Sequence, residues 1–119
     1  MIIGIGVDII EIKRIERACE KDSFVKKVFS QKEIEQCNGR KNSFAGNFAV
    51  KEAVSKAFGS GVRGFSMADI EVLRDEFGKP YVVLHEGARD LAERLGIEKI
   101  YVSISHSVEN AVGFAVAER

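Results

Sequence analysis

The sequence predicts an α+β domain in which a largely antiparallel sheet packs with one long central helix. Three observations predict it. Strand and helix signals come in mixed order rather than in regular alternation. The longest helical run, residues 43–58 (SFAGNFAVKEAVSKAF), is rich in alanine and sits mid-chain. Two pairs of strand-like segments are joined by turns, at residues 75–80 and near 108–110. A chain of 119 residues is long enough to bury one core without disulfide or metal staples, and it contains no repeat, linker or low-complexity tract. One compact domain over residues 1–119 is the expectation.

Residues 2–12 (IIGIGVDIIEI) are rich in β-branched side chains, with Gly4 and Gly6 relaxing the backbone, and read as a buried strand. From Ile12 the spacing becomes helical. Ile12, Ile15, Glu16 and Cys19 fall on one side and Lys13, Arg14, Arg17 and Lys21 on the other. Ser30-Gln31-Lys32-Glu33 matches a capping box and starts a short helix. The long helix of residues 43–58 is closed by Gly59. Residues 59–64 (GSGVRG) form the one glycine cluster of note. Residues 70–73 and 81–84 are two strands, with Gly78-Lys79-Pro80 ending the turn between them. Residues 88–95 form an amphipathic helix stopped at Gly96. Residues 100–107 alternate strictly, with Ile100, Val102, Ile104 and His106 facing one way, and a last strand follows at 111–117.

Composition excludes several classes. No run of eighteen apolar residues occurs, so no membrane-spanning helix is expected. The apolar N-terminus has no basic stretch ahead of it and carries Asp8, which reads as a strand start rather than a signal peptide. Cys19 and Cys37 lack metal-ligand spacing and read as thiols of a cytoplasmic protein. Few aromatics and no tryptophan argue against a base-stacking nucleic-acid surface. Formal charge is zero but uneven: residues 1–63 carry twelve Lys/Arg against eight Asp/Glu, and residues 64–119 carry six against ten. The basic half suits an acidic ligand or protein, although a balanced solvated surface would also produce it.

The Gly4-x-Gly6 start lacks the third glycine and the helix opening of a dinucleotide fingerprint, and no P-loop motif occurs. Asp8 is more informative, because an acid inside an apolar strand needs a cation or hydrogen bonds to offset its desolvation. It admits a capping role for the next helix as well as a site role. On the long helix, positions 45, 48, 49, 52, 53 and 56 share a face. Ala45, Phe48, Ala49 and Ala53 make that face apolar, while Glu52 and Lys56 interrupt it. They are either an i,i+4 surface pair or part of a site. His106 lies between Ser105 and Ser107 and reads first as a satisfied core histidine; His85 sits at a helix start. Two histidines without matching cysteines do not make a zinc site. Two carboxylates far apart in sequence, a nearby lysine and a glycine loop suit Mg²⁺, which takes one or two protein carboxylates and completes its shell with water and phosphate oxygens.

Together, GIGVDIIEIKRI, FAVKEAVSKAFGSG and VSISHSVENAVGFAVAE resemble the bacterial holo-acyl-carrier-protein synthases, the short, trimer-forming 4′-phosphopantetheinyl transferases. The resemblance spans essentially the whole chain. It implies the 4′-phosphopantetheinyl transferase fold and the movement of the phosphopantetheine arm of coenzyme A to a serine of apo acyl carrier protein, leaving adenosine 3′,5′-bisphosphate. It further implies that Asp8 and Glu52 bind Mg²⁺ and the pyrophosphate, and that Lys56 assists the departing bisphosphate. Ser60, Gly61, Pro80, His106 and Ser107 would line the nucleotide pocket. The helix bearing Arg14 and Arg17 would dock the acidic carrier protein, and a homotrimer would place active sites at subunit interfaces. Many relatives have arginine where this chain has Asn47, removing a phosphate contact that Arg40, Lys41 or Arg63 would have to supply. A metal-dependent hydrolase of a nucleotide diphosphate and a non-catalytic carrier-protein-binding module are the alternatives.

Overall fold

The computed structural model describes residues 1–59 and 64–119. Ser60, Gly61 and Arg63, named above, lie outside them. Strand β1 (Ile2–Glu11) leads directly into helix α1 (Ile12–Ala18). Helices α2 (Asp22–Val28), α3 (Gln31–Cys37) and α4 (Lys41–Phe58) follow. A 3₁₀ turn (Met67–Asp69) precedes the hairpin β2 (Ile70–Arg74) and β3 (Pro80–Leu84). Helix α5 (Glu86–Leu95), β4 (Lys99–His106) and β5 (Asn110–Glu118) complete the fold. All strand pairs are antiparallel, in a three-stranded sheet ordered β1-β5-β4 and the separate β2-β3 hairpin. The α+β expectation is met, with two sheets where one was anticipated.

Most of the expected elements stand within a few residues. Ser30 caps α3 as foreseen: its hydroxyl accepts from the Glu33 N–H while the Glu33 carboxylate accepts from the Ser30 N–H. Gly59 ends α4 at φ 117° and Gly96 ends α5 in the left-handed region, conformations that L side chains rarely adopt. Helix α2 was not anticipated. It is seven residues long, has no side-chain cap and is held by tertiary packing of Phe24, Val25 and Val28.

Helix α4 is the axis of the molecule. Gly4 and Gly6 of β1 and Gly113 of β5 lie directly under it. A Cβ on Gly4 would collide with the carbonyl of Ala57, one on Gly6 with that of Ala53, and one on Gly113 with the backbone at Ala49. Because Ala49, Ala53 and Ala57 face them buried, helix and sheet meet along a seam of small residues. The glycines of the N-terminal motif therefore serve this close approach. One apolar cluster joins Val50, Val54 and Phe58 of α4 to Ile70, Val72, Leu91, Ala115 and Ala117. A second gathers Ile10, Ile12, Ile15, Phe29 and Phe44 around the first half of α4.

Between the clusters lies a buried polar chain. The Lys51 ammonium is 2.7 Å from Glu33 Oε1, both side chains fully buried, and it also donates to the carbonyls of Met67 (3.0 Å) and Ile70 (2.5 Å). All three of its donors are thus satisfied. Burial pushes the Glu33 carboxyl up and the Lys51 ammonium down in pKa, each shift opposed by the attraction between them. Asn47 extends the chain, its Nδ2 donating to Glu33 Oε2 at 3.2 Å and to the Val72 carbonyl at 3.1 Å. This chain ties α3, α4 and β2 together.

Candidate active site

In β1, alternate residues point at α4. The first two are glycines; the third is Asp8, whose register partner is Gly113. β1 is an edge strand, so an acid at this position reaches the rim of the helix–sheet contact and solvent. Its Oδ1 accepts a hydrogen bond from Lys56 Nζ at 2.9 Å, in a pair whose side chains are 18% and 55% exposed for Asp8 and Lys56 respectively. Lys56 also donates to the Val7 carbonyl at 3.1 Å. The desolvation of Asp8 is offset by a cation from the next element, and Asp8 does not cap α1, whose N-terminus has no side-chain cap.

Glu52, one turn before Lys56, stands half-buried at the same edge. Burial pushes its carboxyl above the usual range, the Asp8 charge adds to the rise, and Lys56 and Arg14 oppose it. Such a response to Asp8 shows that the two carboxylates share one locality. Glu52 and Lys56 are therefore not an isolated i,i+4 surface pair, since Lys56 turns to Asp8. The edge thus carries two acids, one lysine and, from α1, Arg14. Among the described residues no group of three or more His, Cys, Asp and Glu could enclose a metal ion. Two carboxylates with open positions are the oxygen donor set that suits Mg²⁺ rather than a soft or fully caged ion.

The remaining pocket residues fall elsewhere on the protomer. His106 ends β4, and β4 and β1 are opposite edges of the sheet, two strand spacings or about 10 Å apart. It is exposed, not a core histidine. Its Nε2 lies 3.0 Å from the carbonyl oxygen of Asn42, so that nitrogen carries the proton. Ser107 belongs to the β4–β5 turn, its hydroxyl accepting from the Asn110 N–H at 3.0 Å. Pro80 opens β3 opposite Arg74. His85 is more than a local feature: its Nε2 lies 3.0 Å from Glu71 Oε1, linking α5 to β2. Cys19 and Cys37 are free thiols, and burial raises Cys37 to about 11.

Asn47, weighed in the sequence as a lost phosphate contact, is buried, and its Oδ1 accepts from Arg74 Nη1 at 2.5 Å. Of the residues considered as substitutes, Lys41 is engaged with Glu16 at 2.7 Å, while Arg40 lines a cavity with Arg74. Arg74 itself was overlooked. Its signal was its place at the strand end just before the Asp75 turn.

An α+β domain with two acids and a lysine at one edge is the frame of a small phosphate-handling enzyme. The model of the 4′-phosphopantetheinyl transferase superfamily matches residues 4–115, and the chain belongs to that superfamily. A holo-[acyl-carrier-protein] synthase of Clostridium perfringens is 50% identical, covering 99% of this chain and 95% of its own. The crystal structure of the corresponding synthase from Neisseria meningitidis matches with TM-score 0.89 at 33% identity over all of both chains. That of a Bacillus anthracis synthase in complex with CoA (3′,5′-ADP) matches with TM-score 0.81 at 38% identity, over 99% of this chain and 97% of that one. Within the superfamily, this chain is one of the holo-[acyl-carrier-protein] synthases.

Proposed function

We propose that this chain transfers the 4′-phosphopantetheine arm of coenzyme A to a serine hydroxyl of apo acyl carrier protein in the cytoplasm, in support of fatty acid biosynthesis. Residues 1–119 act as one transferase domain, and Asp8 and Glu52 hold Mg²⁺. The observation that carries this reading is the convergence of Asp8, Glu52 and Lys56, drawn from β1 and α4, at one edge of the molecule.

Transfer of a phosphoryl-linked group needs positioning and charge stabilisation more than covalent help. Bound Mg²⁺ would supply charge neutralisation at the coenzyme A pyrophosphate. Lys56, half exposed beside Asp8, adds a mobile positive charge for the departing bisphosphate. The exposed Lys13, Arg14, Arg17, Lys21, Lys26 and Lys27 of α1, α2 and the link between them form a basic face for an acidic carrier protein. Pro80, His106 and Ser107 are assigned to the nucleotide, together with Ser60 and Gly61.

A homotrimer with sites at its interfaces is supported by the outer face of the β1-β5-β4 sheet. There Ile5 (59% exposed), Val7 (53%), Ile9 (64%) and Phe114 (40%) form a contiguous apolar patch. The separation of His106 from the Asp8 edge fits a pocket completed by a neighbouring copy. Phe114→Asp is expected to shift the sedimenting species from trimer to monomer and to reduce transfer at least about tenfold. A monomer with full activity would remove the interface site.

The direct test mixes the protein with apo acyl carrier protein, coenzyme A and Mg²⁺ and follows carrier-protein mass. A gain of one phosphopantetheine arm, lost on chelation of Mg²⁺, is expected. No gain at any Mg²⁺ concentration would overturn the proposal.

A further inference from the structure

The Lys56 ammonium sits where a small hard cation would find its donors. It donates to a carboxylate oxygen, Asp8 Oδ1 at 2.9 Å, and to a main-chain carbonyl oxygen, that of Val7 at 3.1 Å, both on the edge strand β1. Carboxylate and carbonyl oxygens are the ligands that such ions prefer. A lysine ammonium is a compact point charge on a flexible four-carbon stem, so it fits such a seat and is able to leave it. Two of its three donors are used there.

Charge at this edge is balanced before any ligand arrives. Asp8 and Glu52 bring two negative charges, Lys56 and Arg14 two positive ones, and Glu52 lies in the field of the other three. A free divalent ion therefore gains little here, because it meets an ammonium on the acid it needs. The pair is also easy to open. The Lys56 side chain is 55% exposed, and ion pairs with an exposed member are weak. A pyrophosphate brought to this edge adds negative charge and offers the ammonium charge-assisted hydrogen bonds of its own, which frees Asp8.

We propose that Lys56 is a stand-in cation on Asp8 that makes metal binding conditional on the nucleotide: the two acids accept a divalent ion once a pyrophosphate has drawn the ammonium away. The inference rests on the proposed function, because it takes Asp8 and Glu52 as the metal-holding acids. It adds an order to their use and gives Lys56 a role before transfer as well as during it.

The test omits carrier protein, so that transfer is not the readout. Calorimetry with Mg²⁺, and electron paramagnetic resonance with Mn²⁺ as the probe ion, measure metal affinity with and without coenzyme A, corrected for metal held by coenzyme A alone. Wild-type protein should bind either ion weakly until coenzyme A is present. Lys56→Met is expected to bind Mn²⁺ about tenfold more tightly than the wild type in the absence of coenzyme A, and to lessen the mutual enhancement of metal and coenzyme A by a similar factor, within the usual range of coupling between sites. Lys56→Arg, which keeps the charge, should stay as weak as the wild type. A folded Lys56→Met protein with no gain in metal affinity overturns the inference. So does a wild type that binds Mg²⁺ as tightly without coenzyme A as with it, a comparison that needs no variant to fold. Mg²⁺-dependent transfer by a wild type that fails these comparisons leaves the proposed function standing and refutes the inference alone. No metal bound by any of the proteins, with or without coenzyme A, sinks the metal assignment and the inference with it.

Discussion

Glu52→Gln is expected to reduce phosphopantetheine transfer at least about 10³-fold while raising the melting temperature of the ligand-free protein near pH 7. Both effects have one origin. The folded protein holds a proton on Glu52 more tightly than the unfolded chain does, because the side chain is half-buried and faces Asp8. As pH rises above the ordinary glutamate range, the ionised carboxylate therefore subtracts from stability, and that penalty persists at neutral pH. Glutamine has no proton to lose and escapes it. The metal, however, needs the carboxylate. Transfer measured by carrier-protein mass, with thermal melts at pH 7, checks both halves. Wild-type turnover in Glu52→Gln would refute the metal assignment, and a lowered melting temperature would refute the burial argument.

Lys51→Met is expected to destabilise the fold by about 3–5 kcal/mol, the effect of leaving one member of a buried ion pair alone. Glu33 would then stand fully buried with no cation, keeping its hydrogen bonds to Ser30, Asn47 and the Val72 backbone. Burial already raises its carboxyl, so removal of Lys51 raises it further. The variant should be relatively more stable in acid, where Glu33 carries a proton, and should lose that advantage as pH rises through the raised value. Urea unfolding at pH 5 and pH 8 reads this directly. Adding Glu33→Gln should restore part of the loss at pH 8. Equal destabilisation of single and double variants at both values would show that the pair is not what holds α3, α4 and β2 together.

These two charged residues also mark where the sequence was legible and where it was not. The capping box at Ser30, the alternation through β4 and the glycine stop at Gly96 are local signals, and each marks its element. Asp8 and Glu52 stood out because each interrupts an apolar pattern, which is visible without a structure. Glu33 was read as a capping residue and is one, yet its burial depends on Lys51, eighteen positions away, which no periodicity announces. Asn47 was measured against relatives when its role depends on Arg74, twenty-seven positions along the chain. Helix α2 escaped because a seven-residue segment has little propensity of its own and forms through packing on α4. Local order was written locally; pairings across elements were not.

The seam of Gly4, Gly6 and Gly113 against Ala49, Ala53 and Ala57 has a bearing on how the acids are held. Glycine and alanine have no side-chain torsions to freeze, so closing this contact loses no rotamer entropy and leaves no alternative packing to sample. The distance between the strand bearing Asp8 and the helix bearing Glu52 is therefore set by backbone against backbone. Larger side chains elsewhere in the core can be exchanged, and the molecule can lose stability, without changing that spacing. Tolerance to mutation and the reach of the two carboxylates are governed by different parts of the same helix.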